Sequence, residues 1–235
     1  MIGRLAAFVR SESSVTAARL VPEIKLHLAR ASHKIFQSTR NFQASHPEAA
    51  AFPPYWAFAW PGGQAMARHI LDNPDLVRGL RVADVGAGSG IASIAAAMAG
   101  AAHILAVDVD PLAEAAIAIN VEENGASAVI DTTTEDCLAE EPQADLIVIS
   151  DLVYEPELAV RVGGFVERAL AAGVPVMIGD RLSARRPARG FIEVARYDAP
   201  LAPPLCDEDA EQGRVWQARP RHRETRRARR VSIGP

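Results

Sequence analysis

Asp84-Val85-Gly86-Ala87-Gly88-Ser89-Gly90 follows a short apolar run, Leu80–Val85, and precedes a small-residue apolar stretch, Ile91–Ala99. Strand, glycine turn and helix in that order open a ligand-binding α/β sheet. Ligands of such sheets sit at the carboxyl ends of the strands, near the reversal of strand order. The glycines let a ligand come close to the backbone, because no Cβ intrudes. Asp108 ends the next apolar run, His103–Val107, 18 residues beyond Gly90, where a carboxylate can accept both hydroxyls of a ribose.

The spacing of the loop separates two cofactors. A dinucleotide fingerprint reads G-x-G-x-x-G and grips a pyrophosphate on the helix N-terminus. Here the third glycine comes one position sooner, and Asp84 stands two residues before the first. A carboxylate repels pyrophosphate and suits an ammonium. S-adenosylmethionine (SAM) carries an ammonium and a sulfonium and no phosphate, so its charges fit. For the loop alone, a nucleotide site and a structural glycine turn are the alternatives. Asp108 and the fourth-strand motif described below favour SAM, which would leave as S-adenosylhomocysteine.

Outward from the loop, strand and helix patterns alternate. Pro111 suits the first turn of a helix running to about Asn124 and stopped by Gly125. Ala128–Asp131 is a weaker third strand. Asp145–Ser150 is apolar on both faces and reads as the most deeply buried strand. Glu157–Ala172 reads as a helix closed by Gly173, and Val174–Gly179 as a fifth strand. Strands at this spacing, each followed by a helix, predict a parallel sheet covered on both faces. After Asp180 the alternation breaks. Phe191–Tyr197 and Arg214–Ala218 read as an antiparallel pair completing one edge. The expected fold is α/β, a Rossmann-like sheet of seven strands with helices on both faces and an antiparallel edge pair; the resemblance described below implies the class I SAM-dependent methyltransferase type. Before it, Pro22–Phe36 reads as an amphipathic helix and the aromatic, Pro-rich Phe52–Pro61 as a structured loop. The expected division is an N-terminal helical segment packed on the core (1–50), the methyltransferase domain (51–218) and a basic, disordered tail (219–235).

Ser150-Asp151-Leu152-Val153-Tyr154-Glu155 follows the fourth strand. Asp151 and Tyr154 lie three residues apart beside the expected methyl donor. One reading is helix capping by Asp151 or Glu155, with Tyr154 packed on the sheet. The other is a seat for a cationic amine, in which Asp151 orients the nitrogen and Tyr154 bounds the channel. An amine attacking a sulfonium methyl needs a free lone pair, and a lysine (unperturbed pKa ~10.4) must first lose a proton. Desolvation and the sulfonium favour that loss, whereas a carboxylate opposes it. Asp151 is therefore assigned to binding and alignment, and no residue is assigned as general base.

Composition sets the bounds. The chain has 235 residues, 49% hydrophobic and 23% charged. This excludes a collagen-like fibre, a long disordered chain and a disulfide-stapled miniprotein. No apolar run approaches the ~18 residues of a membrane span. The net charge of −4 is unevenly placed: Arg219–Pro235 carries seven Arg against Glu224, and the preceding 218 residues carry 18 basic against 28 acidic groups. The tail could be a solvated end, or could dock to an acidic partner or RNA, although it lacks interleaved aromatics for base stacking. Cys137 and Cys206 form no metal-binding pattern, and two free thiols in a reducing cytoplasm are expected, with one disulfide as the alternative. Met1–Arg19 lacks a secretory pattern. Its Arg and Ser residues only faintly suggest a mitochondrial presequence, so the cytoplasm is the expected compartment.

Leu20-Val21-Pro22-Glu23-Ile24, Pro54–Ala65, the glycine loop, Asp108-Val109-Asp110-Pro111, Asp151-Leu152-Val153-Tyr154 and Ile178-Gly179-Asp180 together resemble the electron transfer flavoprotein β-subunit lysine methyltransferases. These belong to the seven-β-strand class I protein-lysine methyltransferases. The resemblance spans about residues 20–218, and its most specific part is Trp60-Pro61-Gly62-Gly63-Gln64 combined with Asp-x-x-Tyr. It implies that Asp84, Gly86, Ala87, Gly88 and Gly90 hold the methionine end of SAM. It places Asp108 and Val109 at the ribose, Asp136 near adenine, and Trp60 and Ser150 against the cofactor. It gives Asp151 and Tyr154 the catalytic, lysine-binding role. Core packing is the alternative for Trp60 and, more so, Trp56. The implied substrate is the flavoprotein β-subunit. A ribosomal protein is the rival substrate, and a small molecule or nucleic acid the rival class. The Asn-Pro-Pro-Tyr type of motif that would favour base or amide methylation is absent, and Asp180 is followed by Arg181-Leu182-Ser183 where the family tends to a Pro-Gly-Arg-like turn.

Overall fold

The computed structural model describes residues 2–153, 155–181, 190–199 and 212–219. The expected disordered tail, apart from Arg219, lies outside them, as do Tyr154 and Cys206; Cys137 is a free thiol. In chain order the elements are α1 (Ile2–Glu12), β1 (Ser13–Ala18), β2 (Val21–Ala29), α2 (Ser32–Ser45), α3 (Pro61–Asp72), β3 (Arg81–Val85), α4 (Ile91–Met98), β4 (His103–Val107), α5 (Pro111–Glu123), β5 (Ile130–Thr133), β6 (Leu146–Ser150), α6 (Pro156–Ala172), β7 (Val176–Arg181), β8 (Ile192–Asp198) and β9 (Gln212–Ala218).

Seven strands form one sheet in the order β5-β4-β3-β6-β7-β9-β8. The first five are parallel, and β9 pairs antiparallel with both β7 and β8, which is the expected edge pair. β6 lies inside the sheet, with Leu146 to Ile149 all buried, as its unbroken apolar run requires. The strand order reverses between β3 and β6. The glycine loop after β3 and the acidic turn after β6 therefore face each other across the crevice where such sheets bind ligands.

Each face of the sheet has its own core. α3 and α4 pack Met66, Ile70 and Ile94 against Val82, Val148 and Met177. α6 packs Val162, Phe165 and Val166 against Ile147 and Ile149. α5 buries Ile117 and Val121 toward the first of these cores and Leu112, Ala116 and Ile119 toward α1 and α2, where Leu5, Val9 and Ile35 meet it. This explains its nearly all-apolar sequence: a helix buried on opposite sides has no wide polar face.

The N-terminal segment corrects one expectation. Residues 21–29 are not helical but form β2 of a separate two-stranded sheet with β1, and the helix starts only at Ser32. Glu23-Ile24-Lys25-Leu26-His27-Leu28 alternates polar and apolar, the period of a strand; Ile24 and Leu26 are fully buried. Asn120 and Asn124 of α5 clip this hairpin to the sheet domain: the His27 N–H donates to Asn120 Oδ1 at 2.7 Å, and the Lys25 N–H to Asn124 Oδ1 at 3.0 Å.

The loop expected at Phe52–Pro61 contains one short 3₁₀ turn, Tyr55–Ala57, and then enters α3. Pro61 at the first helical position marked that start, but Gly62 and Gly63 disguised it. Those glycines serve close packing. A Cβ on Gly62 would lie 2.6 Å from the backbone of Gly179 and Asp180, so the first turn of α3 rests directly on β7.

Candidate active site

The glycine loop is shaped by its neighbours. Gly86, Gly88 and Gly90 all have positive φ, at 74°, 56° and 77°. The Gly86 and Ala87 N–H groups donate to Val107 O at 2.8 and 3.0 Å, bending the loop around the end of β4. Asp108 ties the two together: Oδ2 accepts from the Gly88 N–H at 2.8 Å and Oδ1 from the Asp110 N–H at 3.0 Å. Burial raises the Asp108 pKa against these two bonds. Asp110 caps α5 through the Leu112 N–H at 2.9 Å, and burial pushes its carboxyl up to about 7.

Asp84 lies beneath the loop rather than on its ligand side. It is 1% exposed, and Oδ2 accepts from Ser93 Oγ at 2.6 Å at the start of α4. Burial pushes it up to about 6. It thus anchors the strand–loop–helix junction.

Asp151 is built differently. It follows β6 with φ at 50°, a strained conformation for a residue with a side chain. Its N–H donates to Gly179 O at 2.9 Å, and Oδ2 accepts from the Gly63 N–H at 2.8 Å. The carboxylate therefore caps α3, a helix from the other end of the domain, and not the helix that follows it. Burial first, and the neighbouring Asp180 second, push it up to about 8. Burial likewise pushes Asp180 up to about 6.

These groups surround one cavity of about 500 Å³, within the roughly 300–1,000 Å³ of small-molecule sites. Of the residues singled out in the sequence, Trp60, Gly86, Gly88, Asp108, Val109, Asp136, Ser150 and Asp151 line it, and so does Trp56. Asp84, Ala87 and Gly90 do not; they shape the loop from behind. Tyr154 lies outside the described residues. Trp60 is fixed by its indole N–H, which donates to Tyr55 O at 2.9 Å, and by edge contacts with Tyr55 and Phe58. Asp136 accepts from the Leu138 N–H at 3.0 Å and pairs with Arg161 of α6. Sequence reasoning gave no role to Arg161, Asp180 or Arg181, which also line the cavity. Asp180 was within reach of the rule that ligands bind at strand carboxyl ends; the placement of Arg161 depends on how α6 packs.

Among the described lining residues, six carboxyl groups (Asp108, Asp110, Asp136, Asp151, Glu155 and Asp180) face two guanidinium groups, Arg161 and Arg181. A surplus of acids lining the cavity suits cations and disfavours a pyrophosphate. SAM fits on that ground: a glycine cradle and Asp108 stand on one side of the crevice, Val109 gives an apolar wall 41% exposed, and no phosphate needs neutralising.

Comparison with known proteins agrees. The family model for ribosomal protein L11 methyltransferase (PrmA) matches residues 65–155. The solved magnesium protoporphyrin IX methyltransferase of Synechocystis, with bound SAM, superposes with a TM-score of 0.50 at 13% identity, over 79% of this chain and 94% of that one. A Pyrococcus horikoshii protein provisionally assigned as an RNA methyltransferase gives 0.54 at 17% identity, over 78% and 98%. These two share the fold. Closer in sequence, the electron transfer flavoprotein beta subunit lysine methyltransferase of Xenopus laevis is 39% identical, covering 74% of this chain and 69% of that protein. The Rattus norvegicus protein of the same name is 34% identical over 223 residues, 92% of this chain and 85% of that protein. With its sheet, glycine loop and Asp-x-x-Tyr turn, the chain belongs to the electron transfer flavoprotein beta subunit lysine methyltransferase family.

Proposed function

We propose that this protein is a SAM-dependent protein-lysine N-methyltransferase acting on the β-subunit of electron transfer flavoprotein in the cytoplasm. The observation that carries the reading is the placement of Asp151, a buried and strained carboxylate opposite a SAM-type glycine loop in an acid-rich cavity. When bound, SAM supplies a methyl group on a sulfonium. Gly86, Gly88 and Asp108 would hold the donor's polar end, Val109 and Asp136 would border the adenosine, and Trp60 would pack against the cofactor. Asp151 receives the lysine nitrogen and aligns it. Its raised pKa lets it take up a cation in exchange for a proton, so it binds ammonium without fixing that charge permanently. The desolvated site favours the neutral amine, and the Asp151 carboxylate takes back a proton as the amine releases one. Alignment supplies a large share of the rate.

The test is incubation of the full chain with radiolabelled SAM and purified flavoprotein β-subunit, followed by mass spectrometry. Methyl-lysine on that subunit is the expected product. A ribosomal protein is the second reading, favoured by the L11 methyltransferase match over residues 65–155. Label on ribosomal protein L11 in a parallel reaction, with none on the flavoprotein, would establish it.

A further inference from the structure

The register of the sheet sets a second acid beside Asp151. Ser150 pairs with Gly179 across the parallel strands β6 and β7, so Asp151 and Asp180 are the next residues along adjacent strands, and the Asp151 N–H donates to Gly179 O at 2.9 Å. Both line the cavity. Asp180 is only 8% exposed. Among the described residues its side chain receives one hydrogen bond, from the Arg181 N–H to Oδ1 at 2.8 Å. Ser150 Oγ, at the same strand end, is a buried atom with no hydrogen-bond partner among the described residues. Two buried carboxyl groups side by side repel when ionised, and a cation between them relieves this repulsion.

The geometry points to Asp180 as the second half of a paired-carboxylate seat: Asp151 and Asp180 together select a primary ammonium as the acceptor group. This rests on the lysine methyltransferase reading and names the residue that completes its acceptor site. Several charged groups surround the pair. α3 offers the amides of its first turn, Gly62 and Gly63. Arg181, beside Asp180, is near enough to lower both carboxyls against burial, but its residue is exposed at the cavity edge, as is Glu155 after β6. Arg214 of β9 stands opposite Asp180 in register, but its guanidinium turns to Glu193 of β8 at 3.5 Å and over the Trp216 ring. Asp108 and Asp110 face the pair from the other side of the crevice.

The experiment compares the wild-type chain with Asp180→Asn and Asp180→Glu, each saturated with S-adenosylhomocysteine. n-Butylammonium is titrated as the probe, with n-butanol as the uncharged control. Asp180→Asn should bind n-butylammonium about 10-fold more weakly, the loss of one charge-assisted hydrogen bond, with homocysteine-product affinity within about 2-fold of wild type. Asp180→Glu should recover part of the loss. In turnover with flavoprotein β-subunit, Asp180→Asn should raise KM for the protein substrate. It should also shift the acidic limb of kcat/KM to lower pH, because Asp151 loses a like-charged neighbour. Equal probe binding and an unmoved limb in Asp180→Asn would overturn the seat while leaving lysine methylation intact. Equal losses in the Asn and Glu variants, with weakened product binding, would mark Asp180 as fold support and overturn it as well. Asp180-dependent n-butylammonium binding in a chain that forms no methyl-lysine would uphold the seat and refute the lysine reading.

Discussion

Asp108 and Asp151 occupy equivalent places on opposite sides of β3. Each follows the carboxyl end of a neighbouring strand, β4 or β6, and each faces the same cavity. They are held in different ways. Asp108 spreads its two oxygens over two amides, those of Gly88 and Asp110. Asp151 takes the first-turn amides of α3, Gly63 at 2.8 Å and Gly62, and has a second acid for a neighbour and a left-handed φ. A carboxylate that ties two segments of the cofactor loop together stays a fixed part of the scaffold that grips one ligand. One raised by a neighbouring acid as well as by burial is poised to take up a cation that comes and goes.

The largest effect expected from this contrast lies at Asp151. Asp151→Ala should lower methyl transfer about 100-fold or more, since misplacing a reacting group by an ångström costs that much. SAM affinity by calorimetry should stay within about 3-fold. Equal rates for variant and wild type would reduce Asp151 to a cap on α3. Asp108→Ala should reverse the pattern. Losing the carboxylate that braces the glycine loop and faces the cofactor side of the cavity should weaken SAM binding at least about 10-fold. At saturating SAM, turnover should recover much of its wild-type value. If both variants lost SAM binding equally, the two carboxylates would not divide the site as their surroundings indicate.

The cofactor half was the easier to read, because everything that builds it is local. Gly86 to Gly90 and Asp108 lie within one strand–turn–helix–strand unit, and His103–Val107 appears with the same bounds in sequence and structure. The acceptor half is assembled from segments far apart in the chain. The Gly63 amide reaches Asp151 across 88 positions, and Asp180 joins only through strand register. Nothing in the local pattern of Gly62-Gly63 announces that α3 must lie on β7. The same blindness hid the strand at 21–29: its alternation was present, but Ile35 and Phe36 of the next helix blurred the period.

Gly62→Ala tests that distant support. Its Cβ would come within 2.6 Å of the Gly179 and Asp180 backbone, where no side chain can yield. Overpacking of this kind costs typically 1–3 kcal/mol. The midpoint of thermal unfolding should fall by about 2–4 °C for each kcal/mol in a chain of this size. Since α3 carries the Gly63 amide to Asp151, turnover should drop with it while SAM affinity holds. Loss of SAM affinity instead would show that α3 supports the glycine loop as well.

Stability as a function of pH carries a further contrast, and its sign separates acids raised by burial from one lowered by an ion pair. Burial raises Asp151 to about 8, Asp110 to about 7, and Asp84 and Asp180 to about 6. In the unfolded chain these carboxyls release their protons near pH 4. Between about pH 4 and 8 the native protein therefore binds more protons than the unfolded one, so stability is greatest at the acidic end of that window and falls as pH rises. Asp145 differs, for hydrogen bonds from Arg81 lower its pKa, and its stabilising contribution is lost only as pH drops below the ordinary carboxylate range. Thermal unfolding of the ligand-free chain should thus shift downward from pH 5 to pH 8.5. Asp151→Asn should flatten that slope, and Asp145→Asn should leave it unchanged. A slope as steep in Asp151→Asn as in the wild type would mean that the carboxylate is not held out of its ionised form by the fold, and that its contrast with Asp108 lies in geometry alone.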